Sequence, residues 1–193
     1  MENIKIRKAQ ADDAAALLAI YAPYVKETTI SFEYEVPTPD EFMQRMQKIQ
    51  KMYPYLVAEL DDRPVGYAYA GQFQAREAYA WDVEVTIYVD HGLRKSGIGR
   101  LLYETLERAL SAQGILNVNA CIAFPAGECD DEFLTKNSVQ FHEHMGYRMV
   151  GRFTQCGYKF NRWYDMVWME KHIGAHTQNQ PPAVPFSDVD FKF

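Results

Sequence analysis

An α/β fold, a mixed and mostly antiparallel central sheet with flanking helices, is predicted for this chain by three observations. An alternating apolar run, VEVTIYV at 83–89, empties through a short loop, RKSGIG at 94–99, into a helix-patterned stretch, RLLYETLERAL at 100–110. Strand-patterned and helix-patterned runs follow one another along the chain in the order βααβββαβαββ. At 193 residues, 48% of them hydrophobic, the chain is long enough for one well-buried domain and too short for two. The expected division is a single domain over 1–173 and a polar, proline-containing tail over 174–193.

IKIRKA at 4–9 reads as the opening strand, and DDAAALLAIYAPYV at 12–25 as a helix with Leu17, Leu18, Tyr21 and Val25 near one face. Pro23 falls in its last turn, where a proline removes one helical hydrogen bond and weakens the turn. Thr38-Pro39-Asp40-Glu41 is a capping box with proline at the first helical position, so a second helix is expected from 39 to 52, burying Phe42, Met46 and Ile49. YLVAEL at 55–60, the turn DDRP at 61–64 and VGYAYAG at 65–71 predict a hairpin. A long strand over 79–89 leads into the loop. The following helix carries Ile98, Leu101, Leu102, Thr105, Leu106, Ala109 and Leu110 on one stripe and stops at Gly114. ILNVNACIA at 115–123 is another strand, SVQFHEHM at 138–145 a short helix closed by Gly146, and YRMVGRF at 147–153 with WYDMVWMEK at 163–171 a final strand pair. The tail carries Phe186, Phe191 and Phe193, which favours its docking on the body.

The formal charge of −6 argues against nucleic acid as a partner, because binding a phosphate backbone relies on a broad basic surface. No apolar run is long enough to span a membrane and the polar start, MENIKIRKAQ, is unlike a signal peptide. A soluble, cytoplasmic protein is expected. Cys121, Cys129 and Cys156 lack the spacing of a disulfide framework or a zinc site. His142 and His144 stand two apart, on different helix faces, and do not form a metal pair. No metal is expected.

A strand that passes through a glycine turn into a helix presents free N–H groups and a positive helix end to a phosphate. A P-loop needs Lys-Ser or Lys-Thr after its second glycine, whereas Lys95 and Ser96 precede Gly97 and Gly99. A dinucleotide fingerprint needs a third glycine where this chain has Leu102. The remaining pattern, Arg94-Lys95-Ser96-Gly97-Ile98-Gly99, resembles the pyrophosphate motif of the GCN5-related N-acetyltransferases, which hold acetyl-CoA. Arg100 adds a further local cation. Alternation puts Val83, Val85, Ile87 and Val89 on one face of the preceding strand and Asp82, Glu84, Thr86 and Tyr88 on the other. A carboxylate inside such a strand has its pKa raised by desolvation, toward the range of a general base. Glu84 is that residue; the bland alternative is a strand carboxylate facing water.

The segments Phe32-Glu33, YPYLVAE at 53–59, GYAYAG at 66–71, FQAREAY at 73–79, VEVTIYV at 83–89, HEHMGY at 142–147 and GYKFNRWYDMVW at 157–168 are similar to the phosphinothricin acetyltransferase family, over residues 4 to 171. That family acetylates the α-amino group of phosphinothricin, methionine sulfoximine or methionine sulfone. The resemblance implies the acyl-CoA N-acyltransferase fold with splayed central strands, a homodimer, and a direct transfer without an acyl-enzyme. It implies Glu84 as general base and His142 as a catalytic residue assisting thiolate departure, unless that histidine simply packs beside Phe141. For the acceptor it implies Phe32, Arg76, Glu77, Ala78, Val85 and Thr86, with the Arg76 fork gripping a carboxylate. For acetyl-CoA it implies Ile87, Tyr88, Val89, Arg94, Lys95, Ser96, Gly97, Ile98, Gly99 and Arg100, with Asn137 and Ser138. One stretch departs from the family: FPAGECDDEFLTKNSV at 124–139 is longer and acidic, Thr135 sits at the spacing of the family's cofactor-contacting asparagine, and Asn137 comes two residues late. Two other readings compete, a protein N-terminal or lysine acetyltransferase and an acyl-CoA-binding module without catalysis.

Overall fold

The computed structural model describes residues 4–93, 96–127 and 131–193. In chain order its elements are β1 (Ile4–Lys8), α1 (Ala14–Glu27), α2 (Pro39–Gln50), β2 (Tyr55–Leu60), β3 (Arg63–Gln72), β4 (Asp82–Val89), α3 (Ile98–Gln113), β5 (Asn117–Phe124), α4 (Asn137–His144), β6 (Arg148–Lys159) and β7 (Arg162–His172). The chain forms two compact units. One comprises Met1–Ile20, Pro37–Val118 and His172–Phe193, the other Tyr21–Val36 and Asn119–Lys171.

In the first unit β1, β2, β3 and β4 lie side by side in that order, all antiparallel. The β2–β3 connection is a two-residue turn, Asp61 and Asp62, with φ of 51° and 58°. Two left-handed residues give the turn the twist that a hairpin needs. Arg7 on β1 binds Asp13 at 2.7 Å and Glu59 of β2 at 2.7 Å, fixing the strand pair to the chain that enters α1. The capping box of α2 forms as its spacing predicts: the Glu41 N–H donates to Thr38 Oγ1 at 3.2 Å, and the Thr38 N–H to Glu41 Oε2 at 2.8 Å. Phe42 and Met46 are its buried residues.

The stripe of α3 is buried as expected, with Leu101 half-exposed and two additions, Tyr103 and Gln113. A Cβ at Gly66 of β3 would come within 3.3 Å of Ile98 and Leu102 side-chain carbons, so this glycine lets α3 approach the sheet closely. Residues 174–193 run along this unit. Gln113 Nε2 donates to the Met52 and Val184 carbonyls, the Phe186 N–H donates to the Met52 carbonyl, and Trp81 Nε1–H donates to the Pro181 carbonyl. Phe186 is buried, and the Arg108 guanidinium lies 5.3 Å from the Phe191 ring centre.

In the second unit the strand order is β5-β7-β6. β6 and β7 are antiparallel and joined through Phe160 and Asn161, with φ of 50° and 58°, another turn of left-handed residues. β6 is longer than the expected 147–153. Its register shifts between Phe153 and Gly157, and the strand resumes to Lys159. That irregularity hides the second half of the strand from a search for alternation. α1 continues through Pro23 to Glu27, because Tyr21, Tyr24 and Val25 are buried and hold the last turns in place.

Candidate active site

The β3–β4 register sets the site. Gly71 pairs with Glu84 and Tyr69 with Thr86, and cross-strand partners share a face. Val83 and Val85 point the other way and are buried. Glu84 therefore stands on the face that carries Tyr67 and Tyr69, whose rings stack with Tyr55 at 5.7 and 4.7 Å. Tyr88 joins this wall 5.5 Å from Tyr67. A Cβ at Gly71 would meet nothing within 4 Å, so the position opposite Glu84 is open.

Glu84 is half-buried and its carboxylate accepts no hydrogen bond among the described residues. Burial raises its pKa above the ordinary carboxylate value. That combination leaves a basic oxygen available to a ligand at neutral pH.

Upstream of β4, Arg76 caps a single 3-10 turn, Glu77–Tyr79, closed by the Tyr79 N–H donating to the Arg76 carbonyl at 3.0 Å. The rings of Phe73 and Tyr79 meet edge to face at 6.0 Å and brace the loop. Arg76, Glu77 and Ala78 are exposed, and the Arg76 guanidinium forms no hydrogen bond or ion pair among the described residues. Thr86 shares the Glu84 face. The Val85 side chain lies on the opposite face, leaving only its main chain for an acceptor.

Downstream, β4 ends with Ile87, Tyr88 and Val89, all half-buried. The Leu93 N–H donates to the Asp90 carbonyl and Ser96 Oγ–H to the Leu93 carbonyl at 2.6 Å. Gly97 starts α3 with φ of 85°, a left-handed conformation that glycine adopts without strain. No described side chain caps this helix start, and the first intrahelical bond runs from the Leu101 N–H to the Gly97 carbonyl. Helix geometry leaves the N–H groups of Ile98, Gly99 and Arg100 without intrahelical acceptors, at the positive end of the helix. Three such donors fit a diphosphate. The Arg100 side chain is turned along the helix to Glu104 at 2.7 Å. Arg94 and Lys95 lie outside the described residues.

The second unit holds the other expected residues. His142 is 3% exposed, and its Nδ1 lies 2.7 Å from the Ser138 carbonyl one helical turn back. A carbonyl only accepts, so Nδ1 carries the proton and Nε2 the lone pair. Burial lowers the His142 pKa to about 4, against a smaller upward pull from that carbonyl, so the ring is neutral at physiological pH. It contacts Phe141 and Tyr147 edge to face at 5.3 and 5.2 Å. Asn137 opens α4 and is exposed, and Ser138 is half-buried. Phe32 packs with Ile30 against Ala123, Leu134 and Tyr164. The expectations thus fall into two sets. Arg76, Glu84 and the α3 start share the first unit, while Phe32, Asn137, Ser138 and His142 share the second.

Two residues went unremarked in the sequence. Tyr69 stands across from Thr86 beside Glu84, signalled only by the period-two spacing of tyrosines in GYAYAG. Lys159, 2% exposed, lies within the GYKF segment.

Acyl transfer from a thioester of coenzyme A needs a base for an amine and donors for a diphosphate, and β4 with the start of α3 offers groups of both kinds. The model described as "Acetyltransferase (GNAT) domain" matches residues 6–168, and the chain belongs to this family of acetyl-CoA-dependent acetyltransferases. Its α/β fold, with seven mostly antiparallel strands and flanking helices, is that of the family. The chain is 37% identical over 178 residues to a phosphinothricin N-acetyltransferase of Streptomyces viridochromogenes, covering 92% of each chain. It is 30% identical over 184 residues to an L-methionine sulfoximine/L-methionine sulfone acetyltransferase of Pseudomonas aeruginosa, covering 93% of this chain and 99% of that one. Among solved structures, a phosphinothricin acetyltransferase from Sinorhizobium meliloti in complex with acetyl-CoA superposes with a TM-score of 0.82 at 28% identity, over 95% of this chain and 98% of that one.

Proposed function

We propose that the protein transfers the acetyl group of acetyl-CoA to the α-amino group of a small amino-acid-like acceptor, of the phosphinothricin, methionine sulfoximine or methionine sulfone type. The observation that carries this reading is the half-buried carboxylate of Glu84, without a hydrogen bond among the described residues, on the strand that leads to the start of α3. The relatives' named substrates supply the acceptor class.

An ammonium is not a nucleophile, so the reaction starts with proton removal. Glu84 takes that proton, directly or through a water, its raised pKa making it a stronger base than an exposed carboxylate. The amine nitrogen then bonds the thioester carbon. Main-chain N–H groups over Ile87, Tyr88 and Val89 hold the carbonyl oxygen as it gains charge. The C–S bond breaks, and the thiolate leaves as a free thiol once protonated. The N–H groups of Ile98, Gly99 and Arg100, with Arg94, Lys95 and Ser96 before them, hold the diphosphate. Arg76 grips the acceptor carboxylate, with Glu77, Ala78, Thr86 and the Val85 main chain around it, and the resemblance to the phosphinothricin acetyltransferases gives Phe32 the role of a further acceptor contact.

His142 enters as an acceptor. Its one ring proton is committed to the Ser138 carbonyl, so the neutral ring has none to give the thiolate, and its Nε2 is suited to ordering a donor. The same resemblance gives Asn137 and Ser138, on the helix that carries His142, the role of acetyl-CoA contacts. A tyrosine hydroxyl is the better source of the thiolate's proton.

The protein works as a cytoplasmic homodimer. In support, β6 stands last in its strand order, and Met149, Val150, Phe153, Tyr158 and Trp163 on β6 and β7 are exposed, an apolar edge that a second copy would cover. Sedimentation at a monomer's mass would overturn this. No described helix is long and apolar enough to cross a membrane.

The deciding experiment follows thiol release from acetyl-CoA over a panel of amino acids, their sulfoximine and sulfone analogues, and short peptides. Release is expected only with the small amino acids. In Arg76→Ala the acceptor KM should rise roughly 10- to 100-fold, the loss of one charged hydrogen-bonding pair, with acetyl-CoA KM unchanged. Release with peptides alone would replace this reading by protein acetylation.

A further inference from the structure

Lys159 is an amine in a place where amines are rare. It is 2% exposed on the last residue of β6, and its Nζ donates to three main-chain carbonyls: Val25 at 2.7 Å, Thr28 at 2.9 Å and Ser31 at 2.6 Å. An ammonium has three protons, and all three are used. A neutral amine would turn its lone pair against one of these carbonyls, so the arrangement requires the charged form even though burial lowers the lysine's pKa. Val25 lies in the last turn of α1, whose carbonyls have no intrahelical donors.

The segment held in this way continues into Phe32. Two residues before the lysine, Gly157 faces the Phe32 ring so closely that a Cβ would stand 2.5 Å from Cζ and 2.6 Å from Cε2. Ile30 and Phe32 are packed from another side by Ala123, Leu134 and Tyr164. Further ties hold the segment: the Thr29 N–H donates to the Phe133 carbonyl at 3.1 Å, and the Tyr34 hydroxyl to the Tyr158 carbonyl. The end of β6 is therefore a mould for residues 25–34. The ammonium fixes the main chain up to Ser31, and the bare backbone of Gly157 receives the ring of the next residue.

We infer that Lys159, together with Gly157, is a positioning residue for the acceptor: it sets the place of the Phe32 ring and through it the fit of the amino-acid side chain. The inference rests on the reading that Phe32 contacts the acceptor. Neither Lys159 nor Gly157 needs to touch a substrate for this. Their effect should appear in acceptor affinity and selectivity while acetyl-CoA binding stays as it is.

The test uses steady-state kinetics with acetyl-CoA and methionine sulfoximine for Lys159→Met, Gly157→Ala, Phe32→Ala and the Lys159→Met/Phe32→Ala pair. Lys159→Met and Gly157→Ala should each raise acceptor KM at least tenfold and leave acetyl-CoA KM within twofold. Once Phe32 is truncated, removing Lys159 should change acceptor KM no further, a coupling that a general loss of stability would not produce. If Lys159→Met does not fold, Gly157→Ala decides, because it displaces the ring while leaving the ammonium in place. A normal acceptor KM in Gly157→Ala or in a folded Lys159→Met, with Phe32→Ala impaired, overturns the inference and leaves the reading of Phe32 intact. A normal acceptor KM in Phe32→Ala removes Phe32 from the acceptor site and the inference with it.

Discussion

Acidification should weaken the fold through one side chain, His142. Its folded pKa is lowered from 6.5 to about 4 by burial, so the unfolded chain takes up the proton first as the pH falls. The stability that depends on the neutral ring is complete above the unfolded value of 6.5, declines as the pH drops through the window, and is gone below the folded value of about 4. At about 1.36 kcal/mol per pH unit the full loss is about 3 kcal/mol, and at pH 5.5 it is already about 1.4 kcal/mol. That is a large share of a typical domain's stability. Urea unfolding of the wild type and of His142→Gln, followed by tryptophan fluorescence between pH 7.5 and 5, isolates it, since both proteins share every other titrating group. The wild type should lose about 1 to 2 kcal/mol more than the variant over that range. Parallel curves, or a His142 ring resonance titrating near 6.5 in the folded protein, would refute the reasoning and return a proton to Nε2 for use in catalysis.

Glu84→Gln should keep acetyl-CoA affinity and lower kcat by roughly 10²- to 10⁴-fold, the usual worth of a general base; unchanged turnover would remove Glu84 from the mechanism. Because burial raises the Glu84 pKa, its contribution to stability is complete below the unfolded value and is lost as the pH rises through the folded one. Glu84→Gln should accordingly gain stability relative to wild type on going from pH 4 to pH 8, read as the difference in urea midpoints. Gly97→Ala places a side chain at φ of 85° in otherwise open space, so its cost is backbone strain of about 1–2 kcal/mol rather than a clash. Its melting temperature should fall by several degrees and its acetyl-CoA KM rise, with acceptor KM unmoved; an unaffected acetyl-CoA KM would place the diphosphate elsewhere.

What could be read from the sequence was local. The turn at Gly97, the stripe of α3 and the alternation around Glu84 are each set by residues within a few positions of one another, and local geometry follows from them. Gln113 could not be read, because a glutamine late in a helix becomes core only when Met52 and Val184, 61 and 71 residues away, bring carbonyls to its amide. Tyr69 belongs beside Glu84 only through the β3–β4 register, and alternation alone does not say which tyrosine meets which strand neighbour.

Lys159 shows where a usable signal lay. A lone lysine in a strand reads as solvent-facing, and its partners at Val25 and Thr28 are 134 and 131 residues distant. Yet α1 ends in KETTIS, with no glycine or asparagine to close its last turn. Carbonyls at such an end must find donors outside the helix or remain in water. Tyr24 obtains one from the Thr28 hydroxyl at 2.8 Å, and Val25 obtains one from Lys159. Tyr24 and Val25 are also buried, so water is not the alternative for that turn. A buried helix end whose carbonyls lack local donors therefore needs a donor from another element. Lys159, in the aromatic segment GYKF, supplies it to Val25.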